Sequence, residues 1–310
     1  MTQGGFDEFW DGLDWDLADV DLGLSLEAEG FYSQPEWTVY RMSYNSTDGH
    51  RLFAWLSVPH DIAGENTPVL VRMPDYSSVH DIIYTPLRQS AIVMNPTYRG
   101  QRNSDALFQA SYPGLLTAGL PTGGTPTEDT PTIGVDRHQD YIMRQVFGDA
   151  LRAVDAVVGQ SEFDLGRFVL TGSGLGGSLA LAVAARRSVV EAVAADTPLA
   201  LGHPALIEGN PPYPAAELVD YLRLYPDRSQ AVASATEPLN PLLMAPMIRV
   251  PVLLSLGSRD RGQCPIAVGE ELASLLPQCD LRVYDGASEG GGHEHVQVRG
   301  AWLRERLGLG

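Results

Sequence analysis

The stretch Arg167-Phe168-Val169-Leu170-Thr171-Gly172-Ser173-Gly174-Leu175-Gly176-Gly177 decides the fold that the sequence predicts. Apolar and β-branched residues come first, as in a buried strand, and closely spaced glycines then predict a tight turn before a helix. This order is typical of a nucleophile elbow, Gly-x-Ser-x-Gly, in which a strained turn lifts the central side chain clear of a sheet. Here Gly172 and Gly176 fit the outer positions, so Gly174 is central and Ser173 comes one residue too early. The pattern therefore predicts an elbow without the side chain that attacks a substrate.

On both sides of the elbow, short apolar strands alternate with longer helical stretches. The predicted strands are residues 69–73, 91–95, 168–171, 193–195, 252–256 and 281–284. The predicted helices are 139–159, 175–187, 213–224, 264–276 and a last one near 295–307. Such alternation predicts an α/β fold, with a mostly parallel, doubly wound sheet that helices cover on both faces. Earlier in the chain, the alternating segments 37–44 and 51–58 predict an antiparallel hairpin.

One domain is expected over residues 1–310, because no internal repeat or domain boundary interrupts the alternation. Residues 1–35 are expected to form a helical lead-in, since segment 6–30 is acidic and its aromatic residues offer one apolar face. Residues 110–135 are rich in Gly, Pro and Thr and predict a long loop. Loops of that length tend to be binding loops or disordered segments.

The composition limits the partners and the location of the protein. The 310 residues carry a formal net charge of −18, which argues against nucleic acids and anionic membranes, because both need a basic surface. The sequence contains no lysine, so Schiff-base chemistry and a lysine base are excluded. No signal peptide and no apolar stretch of membrane-spanning length is apparent, and a cytoplasmic location is expected. The glycine turn lacks the spaced acid or lysine of a nucleotide site, so no cofactor is expected.

Several polar residues that follow predicted strands could serve in catalysis. Asp260 comes just after strand 252–256, where an acid can orient a histidine, although a solvated loop aspartate fits the same position. His293 and His295 are the only histidines of the last hundred residues, and a surface or capping role is open for both. Their spacing could also hold a metal, but no cysteine or carboxylate cluster supports that alternative. Arg99, after strand 91–95, fits a structural ion pair.

Several different short motifs are distributed along almost the whole chain. They are Phe6-Asp7-Glu8-Phe9-Trp10, Asp48-Gly49, Tyr76, Arg99-Gly100-Gln101, Tyr112-Pro113-Gly114, Asp260 with Cys264-Pro265, and Glu289-Gly290-Gly291-Gly292. Together they resemble the acetyl-xylan esterase and cephalosporin-C deacetylase family of α/β hydrolases. The resemblance implies the α/β-hydrolase fold and hydrolysis of short acyl esters, chiefly acetyl groups on sugars. It also implies a homo-oligomer, often a hexamer with active sites that face an interior chamber.

The resemblance further implies roles for particular residues. A Ser-His-Asp triad would form an acyl-enzyme, and backbone N–H groups would stabilise the oxyanion. On this pattern Tyr76 and Leu175 supply the N–H groups, and Arg99 and Gln101 form the family's signature at the binding site. Asp260 stands at the position of the triad acid.

Three positions depart from the family pattern. The nucleophile serine falls on Gly174, and the triad histidine falls on Ser288. The family's His-Gly-Tyr before the oxyanion turn is here Pro74-Asp75-Tyr76. Loss of a triad serine in other hydrolases costs about a millionfold in turnover.

These observations leave three hypotheses about function. The favoured one is a degenerate family member that keeps a pocket for a small sugar or acyl ester and hydrolyses acetyl esters weakly or not at all. The second is an active short-chain esterase that uses Ser173, or a water activated by His293, in a rearranged site. The third is a non-hydrolytic reaction in the same pocket, because a fold does not dictate a function.

Overall fold

The structure, a computed structural model, describes residues 2–60, 66–76, 78–103, 134–135, 141–208 and 211–310. The long loop predicted over residues 110–135 and the Tyr112-Pro113-Gly114 motif lie outside the described residues, apart from residues 134 and 135. None of the helices within the described ranges is long and apolar enough to cross a membrane.

A nine-stranded sheet, in the order β1-β2-β3-β6-β4-β8-β9-β10-β11, forms the centre of the described part of the chain. Its strands are β1 Ser25–Gln34, β2 Trp37–Asn45, β3 Arg51–Pro59, β4 Thr67–Met73, β6 Ile92–Pro96, β8 Leu165–Ser173, β9 Ala192–Asp196, β10 Val252–Gly257 and β11 Cys279–Tyr284. Pairing is antiparallel from β1 to β6 and parallel from β6 to β11 in that order. The short strands β5 Val79–His80 and β7 Arg102–Asn103 pair with each other. The mostly parallel sheet and the antiparallel hairpin of β2 and β3 are therefore confirmed.

Helices cover both faces of this sheet. They are α1 Gln3–Ala18, α2 Ile142–Gly159, α3 Leu175–Arg186, α4 Ala215–Leu224, α5 Ser229–Thr236, α6 Pro241–Met244, α7 Ile266–Leu275 and α8 Gly292–Arg306. Side chains alternate between the faces along each strand. Leu70 and Val169 belong to the smaller cluster with Trp302 of α8, whereas Val71 and Leu170 belong to the large cluster that includes α2 and α3.

The N-terminal segment differs from the helical lead-in expected over residues 1–35. Helix α1 ends at Ala18, and Ser25–Gln34 is a strand that pairs antiparallel with β2 at the edge of the sheet. The physical reason is that β1 is an edge strand: it pairs on one side only and none of its residues is fully buried, so its sequence lacks a clear apolar alternation.

The tight turn between β8 and α3 requires glycine at two positions. A Cβ atom at Gly172 would lie 2.2 Å from the carbonyl oxygen of Gly176. A Cβ atom at Gly176 would lie 2.4 Å from the carbonyl oxygen of Met73, at the end of the neighbouring strand β4. Because real side chains do not tolerate such distances, these glycines allow α3 to start directly on the sheet and hold the elbow against β4.

Candidate functional site

The carboxyl ends of four neighbouring strands meet at the elbow, as expected for a site in a parallel sheet. Asp75 follows β4, Gly174 follows β8, Asp196 ends β9, and Asp260 follows β10. A cavity of about 270 Å³ opens between these ends and α8. We call it the elbow cavity; its lining comprises Asp75, Ser173, Asp196, Thr197, Gln263, Glu289, Gly290, Gly292, His295, Val296 and Arg299. A second cavity of about 580 Å³ shares Asp75, Ser173, Val296 and Arg299 with it.

The backbone at the elbow is strained. Gly174 has φ 53° and ψ −121°, and Thr197, which follows β9 and also lines the elbow cavity, has φ 38°. A β-branched residue with positive φ is a rare conformation, and such strain concentrates at functional sites. A Cβ atom at Gly174 would lie 2.3 Å from Asp75 Oδ1 and 2.4 Å from Gln263 Oε1. Two other side chains therefore fill the space that a nucleophile at position 174 would need.

Asp75 holds both of the backbone N–H groups that the resemblance assigned to an oxyanion. Its Oδ1 accepts a hydrogen bond from Tyr76 N–H at 2.7 Å and another from Leu175 N–H at 2.9 Å. Burial raises the pKa of Asp75 to about 6; the two N–H groups and the charge of Arg72 act in the opposite direction, and Glu289 adds to the rise. A carboxylate oxygen thus occupies the place that the resemblance assigns to the oxyanion.

Asp260 organises the loop after β10. Its carboxylate accepts hydrogen bonds from the backbone N–H groups of Gly262, Gln263 and Cys264 at 2.9, 3.0 and 3.1 Å. The described residues supply no other side-chain hydrogen bond to Asp260, and it is not among the residues that line the elbow cavity. The carboxylate closes a turn, and the turn carries the side chain of Gln263 to the space above Gly174.

A buried network joins the end of β9 to α8. Asp196 Oδ1 accepts hydrogen bonds from His295 Nε2–H at 2.8 Å and from the Ser255 hydroxyl at 3.0 Å, and Asp196 Oδ2 accepts one from Arg299. The Tyr284 hydroxyl donates to His295 Nδ1 over 2.9 Å. Burial and the charge of Arg282 lower the pKa of His295, which favours the neutral ring that these partners require. Because both ring nitrogens have partners, His295 has no nitrogen left to take a proton from a nucleophile.

The other predicted catalytic residues lie around this network. His293 is exposed in the first turn of α8 and Ser288 is exposed in the loop before it, and neither lines the elbow cavity. Ser173 is half-buried at the end of β8, pairs in register with Asp196 of β9, and lines both cavities. The described residues include no group of three or more His, Cys, Asp or Glu side chains that could hold a metal ion.

The two polar residues of the Arg-Gly-Gln motif lie in different places, Arg99 in the core and Gln101 in the wall of the larger cavity. Arg99 is buried, and its guanidinium bonds Asp149 at 2.7 and 2.9 Å and Thr47 at 2.7 Å, so it joins the turn between β2 and β3 to α2. Gln101 lines the cavity of about 580 Å³, and its Nε2–H donates to the Ser78 hydroxyl over 2.9 Å. The structure therefore surrounds Arg99 with protein groups and places Gln101 near the site.

An apolar pocket on the Tyr76 side of the elbow is almost filled. Its volume is about 10 Å³, and Leu199, Leu206 and Leu218 contribute to its lining. The rings of Tyr76 and Tyr213 lie 5.2 Å apart, and the Tyr76 hydroxyl donates to Glu217 at 3.2 Å. A space of this size holds about one water molecule, which is less than an acetyl group needs.

Four residues of the site were not predicted from the sequence: Asp75, Asp196, Gln263 and Arg299. A signal existed for two of them. Asp75 replaces a glycine directly before the Tyr76 N–H, and Asp196 is the first polar residue after the apolar run of β9. The positions of Gln263 and Arg299 depend on a loop turn and a helix orientation that no local pattern indicates.

Comparisons with known proteins agree with this architecture. A family model described as "Acetyl xylan esterase (AXE1)" matches residues 2–306. An acetyl xylan esterase from Paenibacillus sp. R4 has a TM-score of 0.81 at 22% identity, over 98% of this chain and 95% of that one. Acetyl xylan esterase 1 from Thermoanaerobacterium sp. JW/SL YS485 has a TM-score of 0.78 at 21% identity, over 98% and 93%. A puromycin-hydrolyzing peptidase of Mycobacterium tuberculosis has a TM-score of 0.58 at 18% identity, over 88% and 40%. The fold is that of the α/β hydrolases.

Proposed function

Since the chain belongs to the acetyl xylan esterase family, we propose that it is a member that binds a small sugar or acyl-ester ligand at the elbow but hydrolyses acetyl esters weakly or not at all. One observation carries this proposal: Asp75 Oδ1 accepts hydrogen bonds from the N–H groups of Tyr76 and Leu175, beside a residue that has no side chain, Gly174. A hydrolase of the acyl-enzyme type needs those N–H groups free for the oxyanion.

Two further observations support the loss of acyl-enzyme chemistry. His295 lines the elbow cavity, but it donates to Asp196 and accepts from Tyr284, so this histidine serves the structure. The apolar pocket beside Tyr76 is too small for an acyl group. Position 174 thus lacks a nucleophile, the ring nitrogens of His295 and the two N–H groups are already bonded, and the elbow cavity of about 270 Å³ has room for a small ligand.

The test measures acetate release from acetylated xylobiose and covalent labelling by a fluorophosphonate. We expect no labelling of the protein and turnover at the level of buffer. Gly174→Ser alone should stay inactive, because Asp75 still holds the N–H groups of Tyr76 and Leu175 and both ring nitrogens of His295 have partners. Labelling or acetate release by Gly174→Ser above the wild-type level would contradict the proposal.

A second candidate is an active esterase whose nucleophile is Ser173. It is favoured by one fact: Ser173 lines the same cavity as Asp75 and His295. In that case the wild-type protein would release acetate well above buffer, and Ser173→Ala would abolish the release. Ser258→Ala is the matched control, because Ser258 is also half-buried and lines neither cavity. Full activity of Ser173→Ala together with loss in His293→Ala would point instead to a water activated by His293.

The homo-oligomer that the resemblance implies stays a prediction. Sedimentation velocity of the full chain measures it directly, and a monomer at micromolar concentration would contradict it.

A further inference from the structure

We propose that Asp75 replaces the hydrogen-bond donors of the elbow with an acceptor, so that the site binds free hydroxyl groups of an uncharged polyol, such as a sugar end that carries no acyl group. This inference rests on the proposed function and specifies its ligand. In an acyl hydrolase the elbow offers N–H donors to a carbonyl oxygen. In this chain the same place offers a carboxylate, which accepts hydrogen bonds and donates none when it is ionised.

The hydrogen bonds of Asp75 leave acceptor capacity toward the cavities. Oδ1 accepts from Tyr76 and Leu175, and Oδ2 accepts no hydrogen bond from any residue that the structure describes. Asp75 lines both the elbow cavity and the larger cavity beside it. A carboxylate that is largely removed from water gains substantially from each donor that reaches it, because charge-assisted hydrogen bonds are about twice as strong as neutral ones.

The wall of the elbow cavity suits hydroxyl groups better than anions. Glu289 lines the same cavity as Asp75, and the two negative charges disfavour an anionic ligand. The guanidinium of Arg299 is already bonded to Asp196 and does not offset these charges. Ser173 and Thr197 provide hydroxyls, which both donate and accept. The volume of about 270 Å³ lies near the lower end of small-molecule pockets, which fits one sugar unit.

An acylated ligand end lacks the hydroxyl donor that the carboxylate of Asp75 can accept. Its carbonyl oxygen only accepts hydrogen bonds, and the two N–H groups of Tyr76 and Leu175 are already bonded to Asp75 Oδ1. Contact between a carbonyl oxygen and a carboxylate oxygen brings two acceptors together with no proton between them. A site built to bond a hydroxyl discriminates strongly against a ligand that lacks it, because its own buried polar group stays unpaired.

The test compares binding of xylobiose with that of fully acetylated xylobiose by isothermal titration calorimetry at pH 8. Wild-type protein should bind xylobiose at least about tenfold more tightly. Asp75→Asn keeps an oxygen for the two N–H groups but presents an amide donor to the cavity, so xylobiose affinity should fall by about tenfold or more. Asp75→Gly frees the N–H pair, so the preference should shift toward the acetylated ligand. The matched control is Asp285→Asn, an exposed carboxylate outside both cavities.

The pH dependence identifies the group that accepts the hydroxyl. The charged and titratable groups around Asp75 are Arg72 on β4, Glu289 in the loop before α8, Asp196 at the end of β9, and His295 and Arg299 on α8. Xylobiose affinity should fall as the pH falls through about 6, because protonation of Asp75 removes the charge that strengthens its hydrogen bond from a hydroxyl group. Because His295 is a second titratable group at the cavity, with a pKa that burial lowers, the comparison with Asp75→Asn, which should lack this fall, separates the two groups.

Several results would overturn the inference: no binding of xylobiose at millimolar concentration, tighter binding of the acetylated form to the wild-type protein, or unchanged affinity in Asp75→Asn. Acetate is measured in the same samples. Release of acetate from acetylated xylobiose would contradict the proposed loss of hydrolysis, whereas absence of xylobiose binding without acetate release would contradict only the ligand class.

Discussion

At the scale of single residues, Asp75 sets the chemistry of the elbow and carries an energetic cost. Burial raises its pKa from 3.8 to about 6, so ionisation is less favourable in the folded chain than in the unfolded one. The stabilising contribution of Asp75 is therefore complete below about pH 4 and is lost as the pH rises through about 6. A residue retained at such a cost is typical of a functional site.

Asp75→Asn should consequently stabilise the protein at neutral pH. The gain in unfolding free energy over wild type should grow between pH 4 and pH 7 and approach an upper limit of about 3 kcal/mol. Urea unfolding of both proteins at several pH values measures it. Asp285→Asn serves as the exposed control and should show no such trend. Parallel curves for wild type and Asp75→Asn would contradict the raised pKa.

At the scale of elements, a polar network holds α8 to the end of strand β9, whereas α1 packs against helix α2. Asp196 binds His295 and Arg299 of α8 through its carboxylate. Asp196→Asn should destabilise the protein by about 3 kcal/mol, because it breaks a buried ion pair and leaves Arg299 without its charge partner. Asp280→Asn, which removes the partner of exposed Arg282, should cost less than about 1 kcal/mol. Similar costs for both variants, measured by urea unfolding, would contradict this account.

Helix α1 combines apolar packing with ion pairs from its acidic residues to Arg144, Arg186 and Arg187. Trp10 is 1% exposed, its ring lies 5.9 Å from that of Phe147, and its indole N–H donates to Pro238 over 3.1 Å. Trp15 on the same helix is 76% exposed. Trp10→Ala should cost about 3–5 kcal/mol of unfolding free energy, whereas Trp15→Ala should stay within about 0.5 kcal/mol. Thermal or urea unfolding distinguishes them, and equal effects would mean that α1 contributes little to the core.

At the scale of the whole molecule, Arg99 connects parts of the chain that are distant in sequence. Its guanidinium bonds Asp149 of α2 and Thr47 in the turn between β2 and β3, and both members of the ion pair are almost completely buried. Arg99→Lys loses the planar fork and should cost about 3 kcal/mol, yet leave xylobiose affinity unchanged in the protein that remains folded. Arg41→Lys, on an exposed pair with Glu27, should be nearly neutral. Loss of affinity without loss of stability in Arg99→Lys would assign Arg99 to the binding site.

Regular patterns made most of the architecture predictable. The apolar runs that became β4, β6, β8, β9, β10 and β11 were found within a few residues of their ends, and so were helices α2, α3, α4, α7 and α8. Strand β1 was missed because a half-exposed edge strand carries little apolar signal. Helices α5 and α6 were missed because they are short, with eight and four residues, and therefore show little helical periodicity.

The sequence by itself determined the α/β class, the elbow and the absence of a side chain at position 174, because strand and helix periods and glycine requirements are local properties. Only the tertiary structure decided what fills the elbow. The bond from Leu175 to Asp75 spans 100 residues, and the bond from His295 to Asp196 spans 99. Such contacts depend on which strands become neighbours and on how each loop turns at its end. The missing side chain at position 174 can be read from the sequence. The carboxylate beside it could be found only from the structure, because it depends on the pairing of β4 with β8.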